Sequence, residues 1–66
     1  MEYTVKMQNA IVRAAELAAL LQVSDERADY EVVANEFVKL ATGLTDGAAG
    51  FNAARSDFDY TLEQVL

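Results

Sequence analysis

Cysteine, histidine, proline and tryptophan are all absent from this chain of 66 residues, and glycine occurs only three times. Each absence closes off a class of chemistry. Without cysteine there is no disulfide and no thiolate nucleophile. Without histidine, the commonest metal ligand and the usual general base near neutral pH are missing. Without proline, no ring forces a break inside a helix, and the glycines, at 43, 47 and 50, gather the conformational freedom into one short stretch. A chain this short buries only about 60% of the surface its unfolded form exposes. It therefore depends on a disulfide, a metal, close helix packing or a partner chain. Packing and association are what remain here, and a homodimer or an obligate complex with a larger protein is expected.

Basic residues are also scarce. Five lysines and arginines stand against eleven aspartates and glutamates, giving a formal net charge of −6. The excess is confined: residues 1–22 balance Glu2 and Glu16 against Lys6 and Arg13, while residues 23–66 hold nine acids and the bases Arg27, Lys39 and Arg55. Such a field repels polyphosphates and anionic lipid, so neither direct nucleic-acid binding nor membrane binding is expected; it favours basic protein surfaces. No basic, then hydrophobic, then small-residue pattern opens the chain. The longest apolar-rich stretch, residues 10–21, contains Arg13 and Glu16 and is too short to span a bilayer. A soluble, cytoplasmic protein is expected.

What is present is alanine, the most frequent residue, among other helix formers with apolar residues at three- and four-residue spacing. This predicts an all-α fold: one domain over residues 1–66, a small antiparallel three-helix bundle with helices at about 4–22, 24–42 and 45–66. In the first helix Met7, Ile11, Ala14, Ala18 and Leu21 form a stripe, and Val5, Val12, Ala15 and Ala19 widen it. The polar strip opposite is Lys6, Asn9, Arg13 and Glu16, with Leu20 in its middle and Leu17 at its edge. An arc this wide suits a helix central to a bundle or shared between subunits, so Val12, Ala15, Leu17, Ala19 and Leu20 are the predicted oligomer interface. Residues 2–7 alternate polar and apolar as a strand would, but no second strand exists to pair with them unless two subunits meet.

The second helix opens at Ser24 as N-cap, with Asp25 and Glu26 in its first turn, and closes at Gly43. Its predicted inner face is Tyr30, Val33, Ala34, Phe37, Leu40 and Ala41. In the third segment Phe51, Ala54, Phe58, Leu62 and Val65 align. That helix either runs unbroken from about Thr45 or begins afresh at Ser56, whose spacing to Asp59 is that of a capping box; Gly47 and Gly50 favour an interruption. The predicted core is Ile11, Ala14, Ala18, Leu21, Tyr30, Val33, Phe37, Leu40, Phe51, Phe58 and Leu62.

One phrase occurs twice: Arg27-Ala28-Asp29-Tyr30-Glu31 and Arg55-Ser56-Asp57-Phe58-Asp59. An aromatic anchor flanked by acids arises in any amphipathic helix, so the repeat reads as helix chemistry rather than duplication. The functional reading assigns Asp25, Asp29, Glu36, Asp57, Asp59 and Glu63 to a charged contact surface for a lysine- and arginine-rich protein partner. Acid rows on helices also imitate phosphate spacing, which makes nucleic-acid mimicry one form of that reading. The plainer reading is a solvated, solubilising face.

Asp25 with Asp29, and Asp59 with Glu63, have the helical spacing of carboxylates that meet. Catalysis also needs a pocket that excludes water, which three short helices seldom enclose. No twelve-residue acidic loop suggests calcium, and no glycine loop followed by lysine suggests phosphate. The sequence therefore predicts no enzyme, metal or cofactor. It predicts a small acidic interaction module, a regulator or inhibitor, with a structural subunit such as a viral particle component as the alternative.

Overall fold

The computed structural model describes residues 2–21 and 27–66, with side chains in the second helix from Tyr30 onward. Three helices follow one another: α1 (Val5–Leu20), α2 (Arg27–Thr42) and α3 (Phe51–Val65). Every pair is in contact, and the fold is a small all-α three-helix bundle. Tyr3, just before α1, lies against Gly50 and Asp57 near the start of α3, while Leu17 and Leu20 lie near Val65 at its end. α1 and α3 thus run parallel, and α2 runs against both.

Local chemistry sets most boundaries. Thr4 caps α1, its hydroxyl accepting a hydrogen bond from the Met7 amide at 3.3 Å. The alternation over residues 2–7 does not make a strand: residues 2–4 are irregular and Val5 is already helical. Gly43 ends α2 at φ +75°, with its amide donating to the Lys39 carbonyl at 2.8 Å. The proposed opening of α2 at Ser24, Asp25 and Glu26 lies outside the described residues.

α3 starts at neither expected place. Gly50 is its N-cap at φ +89°, and the eight residues before Phe51 form a connection of turns. Ser56 and Asp59 sit inside the helix, so they make no capping box. Gly50 is doubly required, because a Cβ there would stand 2.6 Å from the Tyr3 Cβ and 2.7 Å from its amide nitrogen.

The core contains Ile11, Ala14, Ala15, Ala18, Ala34, Val38, Leu44, Phe51, Ala54, Phe58 and Leu62. Phe58 is its largest fully buried side chain and stacks on Phe37 at 6.1 Å between centroids. The connection contributes as well. Leu44 is buried, held by its amide donating to the Thr42 hydroxyl at 3.1 Å, while that hydroxyl donates to the Val38 carbonyl at 2.7 Å.

Two expected core residues are outside: Leu21 is 72% exposed and Leu40 83% exposed. Leu21 stands past the last turn of α1 as its C-cap. Leu40 is turned out because α2 packs through Ala34, Val38 and Thr42, about a quarter turn from the face predicted. Tyr30, Val33 and Phe37, predicted as core, are half-buried at the flank. Ala15 departs in the other direction. Its methyl is fully buried within the chain, where alanine lets α1 approach its neighbours closely, so it cannot belong to an oligomer interface.

Candidate functional site

The described end of the first copy of the repeated phrase, Tyr30 and Glu31, meets Arg55 and Asp59 of the second across α2 and α3. Because the helices are antiparallel, Tyr30, Glu31 and Asn35 come opposite Arg55 and Asp59. The Arg55 guanidinium reaches Glu31 Oε2 at 3.1 Å and Asp59 Oδ1 at 3.0 Å, and donates to Asn35 Oδ1 at 2.6 Å. It also lies 5.5 Å from the centroid of the Tyr30 ring, whose hydroxyl donates to Asp59 Oδ1 at 2.5 Å. Arginine suits this place because its planar fork serves several acceptors while its face covers an aromatic ring. Tyr30 and Glu31 from the first copy and Arg55 and Asp59 from the second form, with Asn35, one interlock. Tyr30 and Arg55, its organising residues, are absent from the acidic surface read from the sequence. Their signal was present in the repetition itself, which reading along single helices could not convert into a pairing.

The electrostatics follow from that geometry. Burial raises the Tyr30 hydroxyl pKa, and the Asp59 carboxylate beside it adds to the rise against the opposing pull of Arg55, taking it to about 12. Burial acts to lower the Arg55 pKa, but Glu31 and Asp59 outweigh it and the net shift is upward. A second tyrosine behaves alike. Tyr3 donates to Asp57 Oδ2 at 2.7 Å, and its pKa is raised first by burial and then by that carboxylate.

These contacts redistribute the six predicted partner-binding acids. Asp25 lies outside the described residues, and the side chain of Asp29 likewise. Asp57 and Asp59 do not share a face: residues two apart on a helix are separated by about 200°, and Asp57 turns to Tyr3 beside α1 while Asp59 turns to α2. Both are half-buried structural acceptors. Glu36 is exposed and lies 3.6 Å from Lys39. Glu63 is exposed, one turn beyond Asp59. Glu31 and Asp59 thus meet at the α2–α3 seam through Arg55, while Glu63 and Glu36 are exposed on α3 and α2. Among the described residues, no three carboxylates converge as metal ligands.

The predicted oligomer interface is also redrawn. Ala15 is core, Ala19 packs half-buried against the core, and Val12 is half-buried. Leu17 at 55% and Leu20 at 78% exposure stand outside. They line an open groove of about 700 Å³ together with Arg13, Glu16 and Ala19 of α1 and Val65 of α3. No helix among the described residues is long and apolar enough to cross a membrane. No protein-family model, no curated protein and no solved structure matches this chain.

Proposed function

We propose that the chain is a protein-interaction module, a regulator or inhibitor, whose α2–α3 side docks on a lysine- and arginine-rich site of a partner protein. The observation that carries this reading is the fate of the cations on that side. Arg55 is enclosed by Glu31, Asp59 and Asn35, and Lys39 lies beside Glu36, so both bases with described side chains on α2 and α3 are engaged by acids. Glu31 and Asp59 are also held in place before any partner arrives, which reduces the ordering penalty of binding. In this reading the chain binds and does not catalyse.

Charge-steered association of this kind weakens with salt, as the Debye length falls from about 10 Å at 0.1 M to about 3 Å at 1 M. The test isolates a partner by crosslinked capture at low salt and measures association rates. Glu36→Gln with Glu63→Gln should slow association while leaving the Arg55 interlock and helix content intact. An unchanged rate in the double variant and in high salt would show that the acids only solubilise. If duplex DNA competes for the partner's site, nucleic-acid mimicry is the form the interaction takes.

A second reading, a structural subunit whose function is self-association, is favoured by the exposed leucines of α1. Growth of the purified protein into high-order assemblies would support it over the first.

A further inference from the structure

Arg13, Glu16, Leu17 and Leu20 occupy positions i, i+3, i+4 and i+7 of α1. Four side chains at that spacing are the corners of the hole that receives one side chain of a facing helix. The groove they line continues onto Val65 of α3. Its shape thus fits a helix, and its charge says which kind of surface can bring one.

Among the described residues, the groove holds one base, Arg13, and one acid, Glu16. Residues 1–22 carry no net charge, whereas residues 23–66 carry all of the −6. A basic partner finds no excess of carboxylate on this face, and a strongly acidic one finds no excess of base. A second copy of this chain brings to this face the same Arg13 and Glu16, each able to meet its opposite. The face is also complementary to itself. With two α1 helices antiparallel about a twofold axis passing between Glu16 and Leu17, the two Leu17 side chains pack against each other across the axis. Each Arg13 then lies about 6 Å along the helix axis from the partner's Glu16, within reach of an arginine side chain.

We propose that this face binds a second copy of the chain, α1 against α1 in antiparallel twofold contact, leaving two acidic α2–α3 surfaces pointing outward. The proposal rests on α1 and stands whether or not those surfaces bind a basic partner.

Sedimentation velocity over a concentration series tests it. The expected result is a reversible monomer–dimer equilibrium. Leu17→Asp and Leu20→Asp should each weaken the dimer at least about tenfold. Both side chains are already exposed, so the circular dichroism spectrum should not change. Arg13→Glu and Glu16→Arg should each weaken it alone, the R13E/E16R chain should recover it, and mixing the R13E chain with the E16R chain should give a heterodimer. A monomer at all concentrations up to about 1 mM, or a dimer indifferent to both leucine variants, overturns the proposal. Failure of the two charge variants to associate with each other overturns the antiparallel pairing, and open-ended assembly overturns the closed twofold contact.

Discussion

Arg55 does the work of several residues. Its side chain is 15% exposed and serves acceptors on both α2 and α3, so removing it strands Glu31 and Asp59 near each other without a cation. Arg55→Ala should destabilise the fold by about 1–3 kcal/mol, below the figure for a fully buried pair because both carboxylates are half in solvent. Arg55→Lys should recover only part of this, since an ammonium cannot divide itself among Glu31, Asp59 and Asn35 while covering the Tyr30 ring. Urea melts of the two variants check the order. Alkaline pH probes the same cluster from the other side. Tyr30 is held as the neutral donor, so its folded pKa of about 12 exceeds the ordinary 10. The stability this contributes is complete below pH 10 and is lost as pH climbs toward 12; Tyr3 acts in the same direction. The unfolding free energy should therefore fall between about pH 9 and about pH 11.5, and Tyr30→Phe should flatten the fall while lowering stability at neutral pH.

At the scale of elements, the rotation of α2 has the largest consequences. Packing through Ala34, Val38 and Thr42 puts small and β-branched side chains inward and lets the backbone come close to α1. The connection before α3 then fills the space with Leu44, which is 1% exposed. Leu44→Ala should cost about 2–5 kcal/mol, as deletion of a buried leucine does. Leu40→Ala, on the same helix face a helical pattern marks as apolar, should change stability by no more than about 0.5 kcal/mol. Thermal denaturation of the pair decides which leucine holds the bundle; equal effects would mean that α2 is not rotated as described. The acidic face belongs to this scale too. Glu36 and Glu63 are exposed as the helical pattern implies, whereas Asp57 and Asp59 sit on opposite flanks of α3 with tyrosine hydroxyls as donors.

Long-range ties hold the described molecule together, the Arg55 contacts to Glu31 and Asn35 among them. Phe58, Ile11, Val38 and Leu44 close the apolar centre, and two tyrosine–aspartate bonds fasten its flanks, one tying the N-terminal segment to α3 and one tying α2 to α3. α1 is packed through Ile11, Ala14, Ala15 and Ala18 against both other helices, and it contains no glycine. Its middle amides and those of α3 from Ala54 to Leu62 should exchange with solvent slowest, with α2 opening at lower free energy. Native-state hydrogen exchange measures this directly, and slowest exchange in α2 would contradict it.

Helix number, the cap at Gly43, and the burial of Ile11, Ala14, Ala18, Phe51, Phe58 and Leu62 were all legible in the residues. They depend on interactions within one or two helical turns and on a period of 3.6. The same period shows where a helix is apolar but not where the neighbouring axes run. That is why it could not distinguish Leu40 from Val38, or decide whether Ala15 faced the core or a second subunit. The pairings of Tyr30 with Asp59 and of Tyr3 with Asp57 join residues 29 and 54 apart in the chain. Only the antiparallel and parallel packing of the helices brings them together, and with them the interlock of Tyr30, Glu31, Asn35, Arg55 and Asp59.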